Sequence, residues 1–481
     1  MPTYAKSMRR TLLAFSLLLT ACGTSGSAGE DHDAGSAAHD GAAPEGSAAT
    51  DAGPDATQGE GGVPGGDGGV GDGSMSGDAG DASLSSDAAG TGDATPADAS
   101  GADANGADGS TGGDAGVTSA GCTQGAGIQA GAPWPMVERC PTREGFGAAS
   151  SLAAPAAVTW TQNLNGLLAT APTIAADGTL YVGGLDLYAL TADGTQKWVA
   201  LVGHPVGAAT IAADGTIVVV TADETLRAYN PDGTSKWTYA FGGTDDSTGS
   251  PAIAADGTIY FATSLVLYSV SSAGALNWSQ SNGYRSNPVL AGDGTLYIED
   301  GLDNLLAIHP TGVGAWTYKA AGLGNGDPIV GADGRIYFAA NPGLNADQGY
   351  VYAMNPDGTN AWTASTPTFV DRIGMGPDGT IYFQGLDDTI RQVTSSGSLG
   401  WTHTLKYPAS CGTFAVAGDG TLYVTCGNNA DAPASVEAIR PDGTTAWTLS
   451  LLTTQLAYSY PAIGADGSLY FGWQTLMAIR P

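Results

Sequence analysis

The histidines are the residues of this 481-residue chain best suited to metal binding and acid–base chemistry, and they are scattered. There are five, and two of them, His32 and His39, lie in a polar stretch near the N terminus. The other three, His204, His309 and His403, stand far apart, and no pair has the spacing of a zinc site. The sequence also has no Gly-x-Ser-x-Gly nucleophile elbow and no phosphate-binding loop. We therefore predict no metal site and assign no catalytic residue.

One cysteine lies where covalent lipid attachment is expected. Residues 1–21 begin with basic residues and continue with an apolar run from Thr11 to Leu19. That run is too short to span a bilayer, as in an export signal. It ends in Leu19-Thr20-Ala21-Cys22, which resembles the lipobox of bacterial lipoproteins, so we expect cleavage before Cys22, acylation of Cys22 and anchoring to a membrane. The alternative is an ordinary cleavage site followed by a chance cysteine.

Residues 22–120 have the composition of a disordered tether. They consist mainly of Gly, Ala, Asp, Ser and Thr, with 18 acidic residues and no Lys, Arg or aromatic residue. Such a chain buries too little apolar surface to offset its conformational entropy. Calcium binding by its Asp-Gly runs is the alternative, although no fixed ligand spacing recurs.

The charge balance excludes one class of partner. The formal net charge is −31, and 29 of the 47 acidic residues lie outside the tether, against 13 Lys and Arg there. A strongly acidic surface repels phosphate backbones, so we predict no nucleic-acid partner.

An internal repeat organises the rest of the chain. Its centre is an Asp-Gly pair followed by a β-branched or aromatic run, which predicts a tight hairpin turn between two strands. Successive pairs are 37 to 47 residues apart, the range of a four-stranded propeller blade. The pairs begin at Asp177, Asp214, Asp256, Asp293, Asp333, Asp378, Asp419 and Asp466.

The fourth strands predict how the ring closes. Fourth-strand tryptophans lie at Trp198, Trp237, Trp278, Trp316, Trp362, Trp401 and Trp447. There are seven of them and eight Asp-Gly pairs, so one blade lacks its fourth strand in the order of the chain. The missing strand contains Trp160, which precedes the first repeat. We therefore predict an all-β, eight-bladed propeller over 157–481, whose N-terminal strand completes the last blade and leaves no unpaired edge. An open solenoid is the alternative.

The segment from Ala228 to Trp237 recurs from Ala353 to Trp362 and from Ala438 to Trp447. It resembles the tryptophan-docking motif of the PQQ-like, quinoprotein-dehydrogenase-type propeller repeat. The resemblance covers about residues 133–481 and implies that the eight tryptophans, Trp160 included, pack each blade against its neighbour. Trp134-Pro135-Met136 is similar to the lead-in segment of such propellers, which we place at 121–156. The family includes redox enzymes and inert scaffolds, among them an outer-membrane barrel-assembly lipoprotein.

The family's enzymes carry parts that this chain lacks. They have an adjacent Cys-Cys pair near the quinone and long insertions between strands, and no Cys-x-x-Cys-His haem motif is present either. We therefore expect no cofactor, with PQQ and calcium as the alternative.

The other four cysteines form an even set in an exported protein, where disulfides persist. Of the three possible pairings, position favours Cys122 with Cys140 and Cys411 with Cys426. The second pair falls on neighbouring strands across a turn, although its register is uncertain. Free thiols are the alternative.

The two ends of such a propeller differ. One carries the uniform Asp-Gly turns, and the other carries variable loops, where recognition usually occurs. The candidate binding residues on the variable end are Asp245, Asp246, Tyr284, Arg285, Asp327, Asp371, Arg372, Tyr407, Tyr458 and Tyr460. We predict a monomeric, non-catalytic binding or scaffold lipoprotein of a Gram-negative cell envelope, at the outer membrane, with a protein or small-ligand partner. The alternatives are a PQQ-dependent oxidoreductase and a divergent propeller hydrolase or lyase.

Overall fold

The computed structural model describes twelve segments, all within one compact unit. They are residues 127–140, 142–143, 146–155, 157–164, 170–242, 249–324, 326–343, 347–407, 411–427, 433–451, 460–472 and 475–481. The predicted signal peptide, Cys22, the tether and Cys122 lie outside the described residues. Within the described part, no helix is long and apolar enough to cross a membrane.

Blades 1 to 4 follow one strand, β1 (Trp160–Asn163), and each has four strands in chain order. Blade 1 contains β2 (Thr173–Ile174), β3 (Leu180–Gly183), β4 (Leu187–Leu190) and β5 (Gln196–Ala200). Blade 2 contains β6 (Thr210–Ile211), β7 (Ile217–Thr221), β8 (Thr225–Tyr229) and β9 (Ser235–Ala240). Blade 3 contains β10 (Ala252–Ile253), β11 (Ile259–Ala262), β12 (Val266–Val270) and β13 (Leu276–Ser281). Blade 4 contains β14 (Val289–Leu290), β15 (Leu296–Glu299), β16 (Asn304–Ile308) and β17 (Gly314–Lys319).

Blades 5 to 8 repeat this arrangement, with one additional short strand in blade 5. Blade 5 contains β18 (Leu323–Gly324), β19 (Ile329–Val330), β20 (Ile336–Asn341), β21 (Gly349–Met354) and β22 (Asn360–Thr366). Blade 6 contains β23 (Val370–Met375), β24 (Ile381–Gly385), β25 (Thr389–Val393) and β26 (Leu399–Thr404). Blade 7 contains β27 (Cys411–Val416), β28 (Leu422–Cys426), β29 (Ser435–Ile439) and β30 (Thr445–Ser450). Blade 8 contains β31 (Ala462–Ile463), β32 (Leu469–Gly472) and β33 (Thr475–Ile479).

The N-terminal strand completes the last blade, as predicted. β1 pairs antiparallel with β33, with Trp160 opposite Ala478 and Asn163 opposite Thr475. The sheet order of blade 8 is therefore β1-β33-β32-β31. The chain is an all-β propeller of eight blades, and its ring is closed by pairing the two ends of the repeated region.

The Asp-Gly pairs make the turns between first and second strands. Gly257, in blade 3, has a φ of 83°, which an L side chain rarely adopts. In all eight turns the aspartate Oδ1 accepts the backbone N–H two residues later, over 2.9 to 3.0 Å. These carboxylates serve the turns, as Asx-type hydrogen bonding requires.

The tryptophans join each blade to the next. Seven of the eight donate their indole N–H to a backbone oxygen in the third-to-fourth turn of the following blade, over 2.8 to 3.0 Å. Trp160 of blade 8 donates to Ala192 of blade 1, so the docking continues across the ring closure. In seven blades a buried tyrosine of the second strand lies 5.7 to 6.1 Å from the same indole, which fixes the ring for docking.

One disulfide lies within a blade. Cys411 and Cys426 stand opposite each other on β27 and β28 and form a disulfide, one of the two predicted pairs. Cys140 is also disulfide-bonded, and its predicted partner Cys122 lies outside the described residues.

We call the end that carries the Asp-Gly turns the turn face, and the end that carries the second-to-third turns and the inter-blade connections the loop face. The innermost strand of each blade runs from the loop face to the turn face, because the Asp-Gly pair follows it directly. A residue near the start of an innermost strand therefore lies near the loop face, and a residue near its end lies near the turn face.

Candidate functional site

The described residues of 127–152, which we call the plug, close the central channel at the turn face. Their backbone bonds to the last residues of innermost strands. Ile174 N–H donates to Trp134 O over 2.7 Å and Val330 N–H donates to Thr142 O over 2.9 Å. Further along, Gly147 N–H donates to Val416 O over 2.7 Å. These contacts involve blades 1, 5 and 7, so the plug crosses the axis.

A ring of side chains surrounds the axis near the loop face. Its members each stand six residues before the Asp of an Asp-Gly pair, either before an innermost strand or within its first three residues. We call the described side chains of this set the axial ring: Ala171, Ala208, Ser250, Asn287, Asp327, Arg372 and Tyr460. The two alanines of blades 1 and 2 pack against Val137 of the plug.

Arg143 of the plug is fully buried and is held by the axial ring. Its guanidinium forms an ion pair with Asp327 at 2.9 Å and approaches Glu138 at 3.7 Å. Arg143 Nη2 also donates to the backbone oxygen of Ser250 at 3.4 Å. A charge out of water needs such partners, so these contacts fix the plug to blades 3 and 5.

Asp327 is shared between Arg143 and the neighbouring blade. Its Oδ1 accepts the backbone N–H of Asn287 at 2.7 Å, and Asn287 Nδ2 donates to Oδ2 at 3.0 Å. Asn287 Oδ1 in turn accepts the backbone N–H of Ser250 at 2.7 Å. The network therefore links blades 3, 4 and 5 to one guanidinium.

Two buried glutamates near this network have raised pKa values. Burial, reinforced by the charge of Asp327, raises the pKa of Glu138 to about 8. The same two causes, in the same order, raise the pKa of Glu299 well above its ordinary value. Glu138 thus keeps its proton at neutral pH and can donate a hydrogen bond.

Arg372 and Tyr460 face each other across the axis from blades 6 and 8. The guanidinium lies over the tyrosine ring, 5.2 Å from its centroid, and Nη1 donates to the hydroxyl. Among the described residues, no carboxylate oxygen lies within 4 Å of the Arg372 guanidinium, in contrast to that of Arg143.

These groups line a small, partly enclosed cavity that we call the axial cup. Its volume is about 10 Å³, which holds roughly one water molecule. The cup is lined by Glu138, Arg143, Arg372, Ile373, Gly374, Phe414 and Tyr460. The Glu138 side chain remains 13 % exposed, so the cup communicates with solvent.

A family model described as outer membrane protein assembly factor BamB matches residues 146–285 and 264–373. Together with the eight docked tryptophans, this match decides the family. The chain belongs to the PQQ-like β-propeller family.

Solved structures similar to this PQQ-like propeller include BamB from Moraxella catarrhalis, with a TM-score of 0.53 and 15 % identity. That match covers 67 % of this chain and 99 % of the other, and at this identity it shows the fold alone. A streptogramin B lyase matches with a TM-score of 0.45 and 14 % identity, covering 67 % of this chain and 97 % of its own. No curated protein sequence matches this chain.

The PQQ-like propeller distributes the predicted binding residues over different environments. Asp327, Arg372 and Tyr460 meet at the axis, and the other predicted residues that the structure describes do not line the cup. Tyr284 is buried, with 5 % exposure, and Arg285 beside it is exposed. Asp371 and Tyr407 are partly exposed. Asp245, Asp246 and Tyr458 lie outside the described residues.

Sequence reasoning did not identify Glu138, Arg143 and Glu299. A signal was available for the axial ring, because the position six residues before each Asp-Gly pair is polar in blades 3 to 8 and alanine in blades 1 and 2. For the plug no such signal exists, since Glu138 and Arg143 both have positive φ, of 56° and 54°, in a segment without a repeat.

Groups suited to metal binding are not found in the part of the PQQ-like propeller that the structure describes. The histidine with the most polar contacts there is His403. Its Nδ1 lies 2.9 Å from Gly443 O and its Nε2 lies 3.0 Å from Glu437 Oε1. These contacts join blade 6 to blade 7.

Proposed function

We propose that this chain is a lipid-anchored scaffold protein of a Gram-negative cell envelope, whose propeller binds a protein partner on its loop face. One observation carries the proposal. The chain's own plug fills the axis, the one place where side chains of all eight blades can converge. What remains is a cavity of about 10 Å³, whereas small-molecule sites usually need at least about 300 Å³. At the axis, this favours recognition by the surface over reaction in a pocket.

The loop face has the character of a binding surface. Leu302, in the second-to-third turn of blade 4, is 65 % exposed, and Leu265, in the corresponding turn of blade 3, is 53 % exposed. Between them, Gly301 N–H donates to Gly283 O over 3.0 Å, so the connection between the two blades joins both turns. Exposed apolar residues on a rigid scaffold favour protein recognition.

The envelope location and lipid anchor are proposed from the lipobox-like sequence at Cys22 and from the likeness to the BamB family model. Metabolic labelling with a fatty-acid analogue tests the anchor. We expect labelled protein in the outer-membrane fraction and loss of both label and membrane association in Cys22→Ser. Label that persists in the variant, or unlabelled wild-type protein, would refute the anchor.

Site-specific photo-crosslinking tests the partner. Leu302 on the loop face and Val313 on the turn face belong to the same blade and have similar exposure, 65 % and 61 %. A photoreactive residue at position 302 should give a discrete protein adduct in intact cells, and one at position 313 should not. Equal adducts from both positions, or none from position 302, would contradict binding through the loop face.

The oxidoreductase alternative has one observation in its favour, the convergence of Glu138, Arg143 and Arg372 at the axis. The axial cup, at about 10 Å³, is too small for a tricyclic quinone, which argues against PQQ at the axis. Binding calorimetry with PQQ and calcium, followed by a dye-linked alcohol oxidation assay, decides between the two functions. We expect no saturable binding and no turnover, and turnover would establish the enzyme.

A further inference from the structure

We propose that the axial cup binds one carboxylate group of the partner protein through the guanidinium of Arg372. The inference rests on the proposed function, because it names the chemistry by which a partner on the loop face would be recognised. Four features support it, namely a guanidinium that no carboxylate of the described residues contacts, the state of the nearby acids, the shape of the cup and the overall charge of the chain.

The first feature is that no carboxylate of the described residues contacts Arg372. Two guanidiniums enter the cup, and they differ in their partners. Arg143 has Asp327 at 2.9 Å and Glu138 at 3.7 Å. Arg372 donates through Nη1 to the uncharged Tyr460 hydroxyl, and the described residues place no carboxylate within 4 Å of it. A partly buried guanidinium with no carboxylate in direct contact can bind an anion through charge-assisted hydrogen bonds.

The acids around the cup do not fill this role. Glu138 keeps its proton at neutral pH because burial raises its pKa to about 8. Asp327 is already paired with Arg143 and bonded to Asn287. Asp371, next to Arg372 in the chain, and Asp327 attract the Arg372 charge electrostatically, but neither carboxylate lies within 4 Å of its guanidinium. The neutral Glu138 is a further hydrogen-bond donor to a ligand in the cup.

The cup is large enough to hold only one terminal atom of a ligand. About 10 Å³ holds one oxygen atom, so a carboxylate would bind end-on, with its second oxygen towards the opening. Ile373 and Phe414 form the apolar part of the lining, suited to the carbon next to the carboxylate. A Cβ on Gly374 would lie 2.5 Å from the Phe414 ring, so this ring packs directly against the Gly374 backbone and leaves no room for a side chain there. The rest of the ligand must therefore lie outside, on the loop face.

The overall charge of the chain limits which charge the partner's surface can have. At a formal net charge of −31, this protein repels an acidic partner at long range. Screening limits that repulsion to about 8 Å at physiological salt, so contact interactions can still bind one anion. The partner should therefore present a single protruding carboxylate, from an Asp or Glu side chain or from a C terminus, on a neutral or basic surface.

Titration of the mature full-length chain with small carboxylates, observed by ligand NMR, tests the cup. N-acetylalanine represents a polypeptide C terminus, acetate represents an acidic side chain, and N-acetylalaninamide is the neutral control. We expect saturable binding of a carboxylate at least tenfold tighter than that of the amide. Tighter binding of N-acetylalanine than of acetate would indicate a C terminus, and equal binding would indicate a side chain. Equal binding of acid and amide, or no binding of either acid, would overturn the proposal.

Two variants locate the binding site. Arg372→Gln should weaken carboxylate binding at least tenfold, whereas the matched control Arg335→Gln, on the turn face, should bind as the wild type does. Tyr460→Phe keeps the ring under Arg372 and removes only the hydroxyl, so it remains informative if Arg372→Gln does not fold, and it should weaken binding about threefold. Wild-type affinity in both folded variants would overturn the proposal.

The carboxylate-binding experiment and the crosslinking experiment can succeed or fail independently of each other. Adducts at position 302 without carboxylate binding would refute the cup and leave the loop-face partner in place. Carboxylate binding without adducts would refute the loop-face partner instead.

Discussion

Trp447 donates its indole N–H to the backbone oxygen of Leu152 over 3.1 Å, and so docks blade 7 on the plug. In the other blades the acceptor is the third-to-fourth turn of the next blade. Blade 8 has no such turn, because its outer strands β33 and β1 are not consecutive in the chain. The plug therefore replaces the missing turn, and it also supplies Ser151, which donates to Asp419.

This substitution predicts a difference between two tryptophans. Trp447→Phe should lower the free energy of unfolding by about 1–3 kcal/mol, because it leaves the buried Leu152 oxygen without a partner. Trp198→Phe removes the same group from an exposed hydrogen bond and should cost about 1 kcal/mol or less. Urea denaturation of both variants measures the difference, and equal losses would contradict the role of the plug at this junction.

The docked indoles also predict which turn glycines are least replaceable. Gly233 and Gly178 have similar φ values, of 87° and 80°, so alanine carries the same backbone strain at both, about 1–2 kcal/mol. A Cβ at Gly233 would also lie 2.7 Å from the Trp198 ring, whereas one at Gly178 meets nothing within 4 Å. Gly233→Ala should therefore destabilise the fold by at least about 1 kcal/mol more than Gly178→Ala. Thermal unfolding checks this, and equal shifts would count against close docking.

The buried ion pair of the plug predicts a large effect of losing Arg143. Arg143→Gln should cost about 3–5 kcal/mol, because it leaves Asp327 charged and buried without its cation. The exposed pair of Arg335 and Asp333, at 3.4 Å, serves as the control, and Arg335→Gln should cost about 1 kcal/mol or less. Chemical denaturation compares the two, and a small loss in Arg143→Gln would show that the plug is held mainly by its backbone.

The raised pKa of Glu138 predicts how stability depends on pH. Its pKa is 4.5 in the unfolded chain and about 8 in the folded protein, so folding takes up a proton between these values. The stabilisation is complete below pH 4.5 and is lost as pH rises towards 8. The free energy of unfolding should therefore fall across this range, with Glu299 acting in the same direction.

Glu138→Gln, which cannot ionise, should flatten part of that slope. Urea denaturation at pH 5, 6, 7 and 8 measures the slopes. A wild-type slope in Glu138→Gln would mean that Glu138 is already ionised in the folded protein.

Much of the fold could be predicted because its rules are local and repeated. An Asp-Gly pair defines a turn through the φ of one glycine and the Oδ1 bond of one aspartate, and these interactions span only a few residues. The excess of one Asp-Gly pair over the fourth-strand tryptophans was enough to predict that the strand of Trp160 completes blade 8. Cys411 and Cys426 were paired for the same reason, since a single turn separates their strands.

The axial site could be predicted only in part. Asp327, Arg372 and Tyr460 were recognised as loop residues, and their common position before the Asp-Gly pairs would have placed them in one ring. Their partners Glu138 and Arg143 could not be found, because the plug has no repeat and its backbone takes rare positive φ values.

The sequence by itself determined the eight blades, their turns, their docking tryptophans and the way the ring closes, since each depends on short-range hydrogen bonding and on a pattern repeated eight times. Only the tertiary structure decided that the plug fills the channel, that Arg143 pairs with Asp327 and that no carboxylate of the described residues contacts Arg372. Those relationships join residues far apart in the chain, and they arise only once the closed ring brings the innermost strands together around one axis.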